Sequence, residues 1–206
     1  DEYAGQARPE PGIGSPPNGK AYYVAAIAHH TAGAGYTPEA IHALGEAEVA
    51  RIRAEMHDVM EAVNYPGTFE EFLVFLRSDP QFYAKSPEDL LEKAALIAKR
   101  LDAILPAYFG KLPRLTYGVE PVPASIAPGY TTGRYSGGDP ARGIPGTYLV
   151  NTYALDQRPL YELPALSAHE AVPGHHLQIA LAQEMEDMPR FRRSYYATAF
   201  GEGWGL

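Results

Sequence analysis

The sequence contains no cysteine. Disulfide bonds, thiolate metal ligands and a cysteine nucleophile are therefore excluded, and cytoplasm or periplasm suits the chain equally well. Basic residues are few, with 17 Lys and Arg against 25 Asp and Glu, which gives a formal net charge of −8. Since phosphate binding needs clustered positive charge, we expect no nucleic-acid partner.

Long apolar runs are also missing. No stretch approaches the ~20 residues that a membrane-spanning helix needs, and the N-terminus lacks a basic region followed by an apolar one. We therefore expect no transmembrane segment. Because the chain starts at Asp1 rather than at a methionine, and stops at Leu206 directly after the run GEGWGL, we expect it to be a fragment of a longer polypeptide.

The composition suits a folded core, since 46% of the 206 residues are hydrophobic. Residues 1–19 are rich in proline and glycine and are predicted to form an irregular arm. Residues 20–110 carry helix signals, and residues 111–206 combine a small β element with the helices of a candidate metal site. The sequence thus predicts a mainly α fold with a small β element, organised as one continuous domain.

Helix starts are clearly marked in the first half of the chain. Thr37, followed by Pro38 and Glu39, supplies a cap, a first-turn proline and an acid that favours the helix dipole. Thr68 and Glu71 form a capping box for a later helix. After the first of these starts, apolar residues recur at offsets of three and four, which predicts an amphipathic helix to about residue 63. These residues are Ile41, Leu44, Ile52, Met56 and Val59.

A strand is predicted at GTYLVNTY, residues 146–153, which is rich in β-branched and aromatic residues. A second strand is predicted at 115–119. We expect 146–153 to be an edge strand along which an extended peptide aligns by main-chain pairing, with Tyr148 and Asn151 in contact with the substrate. The alternative is a purely structural strand with Tyr148 packed inward.

The segment HEAVPGHHLQ, residues 169–178, carries candidate chemistry. A catalytic zinc ion takes three protein ligands and needs a nearby carboxylate as general base. His169 and Glu170 match the start of the helical zinc motif, in which the second histidine stands four residues after the first. Here that position is Pro173, which cannot bind metal.

On an unbroken helix neither following histidine is well placed. His175 would lie about 120° around the axis and about 9 Å along it from His169, and His176 about 10.5 Å along it. Pro173 and Gly174 are expected to bulge or break the helix. His175 is then favoured as the second ligand, and the alternative is that His176 coordinates while His175 contacts substrate. The alternative is an ordinary kinked helix with surface or core histidines, but three histidines and one glutamate within eight residues favour a metal site.

Glu202 is the candidate third ligand. It lies beyond the histidines in AFGEGWGL, where a carboxylate on a following helix could complete the site. Gly201 and Gly203 flank it, and two such helix-weakening residues suggest that something approaches closely. The alternative is a solvent-facing glutamate beside a packed Trp204.

HEAVPGHHLQ followed by GEGWGL resembles the bacterial "domain of unknown function 885" family, regarded as zinc-peptidase-like in the gluzincin manner. The likeness covers nearly the whole chain from about residue 19, because GKAYYVAAIAHHT, LPRLTYGVEPVP and PGTYLVNTY are similar to blocks of that family in the same order. The resemblance implies a gluzincin-like metallopeptidase fold. It also implies His169 and His175 as zinc ligands, Glu202 as the third ligand and Glu170 as the general base.

Family members continue beyond the GEGW-type block, with Tyr- and Arg-containing segments that this chain lacks. If those segments stabilise the oxyanion or wall the cleft, this chain alone is incomplete as an enzyme.

The expected activity is zinc-dependent hydrolysis of peptide amide bonds, in which Glu170 activates a water on Zn2+. The expected partner is a peptide or a small acylated substrate. One alternative is a zinc hydrolase of esters or acylated amino acids, and another is an inactive binding member of the same fold. The expected source is bacterial, and the sequence leaves the cytoplasm and the cell envelope or periplasm open as locations.

Overall fold

A computed structural model describes residues 4–10, 12–189, 191–192 and 195–206. The predicted arm at 1–19 therefore lies partly outside the described residues. The chain divides into two compact units, one formed by Asp1–Pro66 and Ala197–Ala199 and the other by Gly67–Tyr196 and Phe200–Leu206. The boundaries that composition suggests near residues 20 and 110 stay a prediction.

The first unit contains helices α1 (Gly19–His30) and α2 (Pro38–Ala62). The predicted start of α2 is confirmed, because the Thr37 side chain accepts a hydrogen bond from the Ala40 amide at 3.2 Å. Within α2, all of whose residues the structure describes, none is buried. Its apolar face is exposed instead, as Ile52 at 45% illustrates.

The second unit opens with α3 (Phe69–Ser78) and α4 (Pro87–Tyr108). The predicted capping box of α3 is present in both directions, since Thr68 accepts from the Glu71 amide and the Glu71 carboxylate accepts from the Thr68 amide at 2.7 Å. α4 is amphipathic, and its buried face lies in the main core.

A three-stranded sheet follows, made of β1 (Tyr117–Pro121), β2 (Gly133–Ser136) and β3 (Gly146–Val150) in the order β1-β3-β2. β1 runs parallel to β3, and β2 runs antiparallel to it. Both predicted strands are present with different bounds, since the strand predicted at 115–119 lies at 117–121 and the strand predicted at 146–153 ends at 150. The expectation that 146–153 is an edge strand is wrong, because β3 is the central strand and both of its sides are paired. No peptide can therefore add to it by main-chain pairing.

Helices α5 (Leu163–Glu170), α6 (His175–Gln183) and α7 (Thr198–Gly205) follow, and α7 belongs to the second unit from Phe200 onward. The main core joins α4, α5 and β3, and its buried members are Ala84, Leu90, Ala94, Ala98, Tyr148, Val150, Leu163 and Ala171. A smaller cluster of Leu105, Val172 and Leu177 lies at the junction of α5 and α6. Together these clusters fix the segment that carries the histidines. Leu177 is fully buried, and burying one side chain of this size stabilises the folded state by roughly 1.5–3 kcal/mol.

The architecture is mainly helical with a small three-stranded sheet, as the sequence predicts. Among the described residues, no helix combines the length and the apolar character needed to cross a bilayer.

Candidate metal centre

The helix that carries His169 breaks where the sequence predicts. α5 ends at Glu170 and α6 begins at His175, with the Gly174 amide donating back to the Ala168 carbonyl at 2.9 Å. A Cβ at Gly174 would collide with the backbone carbonyls of Ala168 and His169, so this turn requires glycine.

The connecting turn is also anchored by burial. Ala171 and Val172 are essentially inaccessible to solvent, at 0% and 1% exposure. The His176 amide donates to the Ala171 carbonyl at 3.0 Å, which joins the turn to the first residues of α6. The break is therefore a fixed element of the core, and it sets the direction of both flanking helices.

Three candidate ligands converge at this break. One donor atom from each of His169, His175 and Glu202 lies within 4.8 Å of the other two. Glu202 Oε2 lies 3.3 Å from His169 Nε2 and 3.6 Å from His175 Nε2. The two imidazole rings stand nearly perpendicular, with centroids 4.6 Å apart. Of the two neighbouring histidines, the geometry brings His175 to the cluster.

Close packing of α7 delivers the carboxylate. A Cβ at Gly205 would collide with the ring of His169, and one at Gly201 would collide with the ring of Tyr196. Gly203, by contrast, has open space around the position of a Cβ, so the expectation of close approach holds for one flanking glycine only. The indole N–H of Trp204 donates to the Pro173 carbonyl at 2.7 Å and so attaches α7 to the break.

Further side chains orient the ligands. His175 Nδ1 lies 3.3 Å from Gln178 Oε1, and Gln178 Nε2 donates to the Phe200 carbonyl at 3.1 Å. Because the amide oxygen can only accept, Nδ1 carries the proton and Nε2 is free to bind a metal.

The carboxylate of Glu202 has a partner of its own. Tyr196 Oη donates to Glu202 Oε1 at 2.9 Å, which leaves Oε2 to face the histidines. This hydrogen bond, together with the nearby imidazoles, lowers the pKa of Glu202. Burial and the same carboxylate raise the pKa of Tyr196 to about 12, so the phenol stays protonated as a donor at neutral pH.

Glu170 directly follows His169 and is buried, at 8% exposure. Its Oε2 accepts the backbone N–H of Tyr135 at 2.7 Å. The neighbouring His176 is also buried, and its Nδ1 lies 2.9 Å from Tyr135 Oη. Burial lowers the pKa of His176, which favours a neutral ring inside the fold.

The family model described as "Bacterial protein of unknown function (DUF885)" matches residues 1–206. The chain belongs to this family. A solved structure, the crystal structure of a candidate lipoprotein from Colwellia psychrerythraea, is similar with a TM-score of 0.90 and 32% sequence identity. That match covers 99% of this chain and 36% of the other, so the chain spans about a third of that protein's length. No curated protein matches the chain.

The donor set of this DUF885 chain fits a zinc ion. Zinc accepts imidazole nitrogen and carboxylate oxygen, and two ligands each about 2.0–2.1 Å from a tetrahedral ion lie about 3.3–3.4 Å apart. The two nitrogen-to-oxygen separations at Glu202, 3.3 and 3.6 Å, are close to that value without rearrangement. Glu202 is 51% exposed and His169 26% exposed, so solvent can reach a fourth position. The three residues present therefore leave one position of a tetrahedral ion for a fourth ligand.

The two predicted substrate contacts on the strand lie elsewhere. Tyr148 and Asn151 are both fully buried, at 0% exposure, so neither side chain is open to a substrate. Tyr148 Oη lies 3.3 Å from Ser167 Oγ, and burial raises the pKa of Tyr148 to about 12. Asn151 Nδ2 instead donates to three loop carbonyls, those of Ala127, Tyr130 and Thr131. The predicted contacts are corrected to structural roles, as the inward-packed alternative for Tyr148 anticipates.

Sequence reasoning missed Gln178 and Tyr196 at the candidate site. Gln178 stands three residues after His175, a spacing at which helical side chains meet, and could have been identified. Tyr196 carries no such signal and reaches the site through its hydrogen bond to Glu202 on α7. The contact of the Tyr135 amide with Glu170, 35 residues away, has no sequence signal either.

Proposed function

We propose that this chain carries the zinc site of a hydrolase that cleaves peptide amide bonds, on a gluzincin-like fold. The observation that supports the proposal is the convergence of His169, His175 and Glu202, contributed by separate helices. Glu170, the candidate base, directly follows His169 in the chain. The chain accounts for part of a longer similar protein, so the activity is proposed for the whole protein that contains it.

The ligands in this proposal are His169 Nε2, His175 Nε2 and Glu202 Oε2. Zinc held there would act as a Lewis acid and lower the pKa of a bound water toward about 7. Gln178 and Tyr196 keep the correct ligand atoms turned inward, which limits the reorganisation needed for metal binding.

Glu170 is the proposed general base. The Tyr135 amide occupies Oε2, so Oε1 is the oxygen available for proton transfer. Glu170 would take a proton from the attacking water and then give it to the leaving amine nitrogen. Its buried position keeps bulk water from competing for the proton.

The likeness to a candidate lipoprotein supports a location at the bacterial cell envelope. Fractionation of the native protein tests this proposal, and recovery in the cytoplasmic fraction would count against it.

The decisive experiment measures zinc per chain by elemental analysis in the wild type and in His169→Ala. We expect stoichiometric zinc in the wild type and its loss in the variant. His42→Ala is the matched control, because His42 is a 78% exposed surface histidine of α2. Equal zinc in wild type and His169→Ala, or no zinc in either, would refute the metal site.

Turnover of a panel of peptides, esters and N-acyl amino acids then defines the substrate. Cleavage of peptides supports the proposed class, and exclusive cleavage of the other substrates replaces it with an esterase or acylase.

A further inference from the structure

The second histidine of the pair, His176, has a distinct environment. It is 3% exposed and lies between two tyrosines, with ring centroids 4.5 Å from Tyr117 and 5.5 Å from Tyr135. Its Nδ1 is 2.9 Å from Tyr135 Oη. Tyr117 is fixed in turn, because its hydroxyl donates to Asp102 Oδ1 at 3.0 Å. His176 is thus held by contacts with two tyrosines, and it does not belong to the cluster of the three candidate ligands.

Tyr135 has a double role at the same place. Its side chain, 6% exposed, reaches His176, whereas its backbone N–H donates to Glu170 Oε2 at 2.7 Å. This amide points to the open edge of β2, because β3 pairs with the other edge. The ring also fills the space where Gly146 lacks a Cβ. The ring that contacts His176 and the amide that holds the Glu170 carboxylate therefore belong to one residue, which links the two contacts through the backbone of β2.

We propose that His176 is a positioning residue for Glu170, acting through Tyr135: the buried contact between the histidine and the phenol fixes the strand whose amide holds the base. The proposal rests on the proposed function, in which Glu170 transfers the proton. A general base must stay within hydrogen-bond reach of its proton, and a displacement of about 1 Å can cost about a hundredfold in rate. The paired histidines then have separate tasks, with His175 for the metal and His176 for the base.

The test uses Tyr135→Phe and His176→Leu in the full-length protein. Each removes the contact while keeping a side chain of similar bulk. We expect kcat to fall roughly ten- to a hundredfold in both, with KM and zinc per chain unchanged. The double variant should lose no more than the worse single variant, because the two residues act as one unit. Tyr153→Phe, at a 53% exposed tyrosine, is the matched control and should leave kcat unchanged.

His176→Asn separates positioning from simple packing. Its amide stands where Nδ1 stood and can still bond to the Tyr135 hydroxyl, so kcat should recover to within a few-fold of the wild type. A purely structural role would give equal losses with Leu and Asn. Loss of zinc in His176→Leu would instead show that His176 is a ligand. Either result overturns the proposal.

Amide hydrogen exchange of Tyr135, followed by NMR, provides a measure independent of activity. We expect exchange roughly tenfold faster in His176→Leu, Tyr135→Phe and Glu170→Ala than in the wild type. If the wild type cleaves none of the substrates, the proposed function fails. The exchange rates would still show whether His176 affects the Tyr135 amide that holds Glu170. Unchanged exchange in His176→Leu would overturn the proposed link between His176 and Glu170.

Discussion

Helix α2 and the break between α5 and α6 differ both in their local sequence signals and in their burial. α2 has the local signals of a helix, with a capping threonine, a first-turn proline and a regular apolar repeat, yet none of its described residues, Pro38–Ala62, is buried. The segment around Pro173 has a proline and a glycine where a helix needs neither, and it is among the most deeply buried parts of the chain. Local signals thus place helix ends, whereas packing shapes the site.

The contrast between the histidine segment and α2 should have its largest effect on kcat. Glu170→Gln should reduce kcat about 10²–10⁴-fold while zinc per chain stays at the wild-type level, because the amide keeps the Tyr135 hydrogen bond but cannot accept a proton. Steady-state kinetics and elemental analysis of the same preparation measure both quantities.

Glu61→Gln is the control for that variant, since it makes the same change on the exposed surface of α2. It should leave kcat unchanged. Retained activity in Glu170→Gln would show that another group acts as the base.

The sequence could predict elements whose causes are local. The cap at Thr37, the capping box at Thr68 and the break at Pro173 each follow from side chains within a few residues of one another. The three ligand candidates were also identifiable, because zinc chemistry restricts their residue types, and the family resemblance supported the choice of Glu202.

Features that depend on distant partners could not be predicted in this way. The position of β3 at the centre of the sheet requires β1 and β2 on either side, and the alternation of its residues is the same at an edge or in the middle. An edge position would bring Tyr148 and Asn151 into contact with substrate, whereas both side chains are buried. The contact of Tyr135 with Glu170 joins residues 35 positions apart, and no spacing rule indicates it.

Truncating one apolar side chain in α6 and one in α2 tests how much burial contributes to stability in each helix. Leu177→Ala removes a side chain of 0% exposure and should lower the free energy of unfolding by about 2–5 kcal/mol. Ile52→Ala removes one that is 45% exposed, and its cost should stay below about 1 kcal/mol because alanine is also the better helix former. Hydrogen exchange of α6 and α2 in the full-length protein measures the two effects. Equal effects would mean that α2 is covered as fully as α6.

Gly174→Ala tests whether the break itself is a fixed structure. The added Cβ meets backbone carbonyls rather than a flexible side chain, so the segment must shift, at a cost of about 1–3 kcal/mol. The shift moves His175 relative to His169, and we expect weaker zinc binding along with the lower stability. Zinc titration and thermal unfolding measure these changes, and a wild-type zinc affinity would show that the ligands tolerate movement of the turn.

Gly45→Ala is the same substitution in the contrasting region and should have the smallest effect, of opposite sign. Gly45 lies inside α2 with no atom within 4 Å of the position of a Cβ, so the new methyl group meets nothing. Alanine is favoured over glycine in a helix by about 1 kcal/mol, and the α2 amides should exchange roughly fivefold more slowly. Because packing contributes little at this position, any destabilisation would mean that another surface covers α2 at Gly45, and the contrast with the histidine segment would fail there.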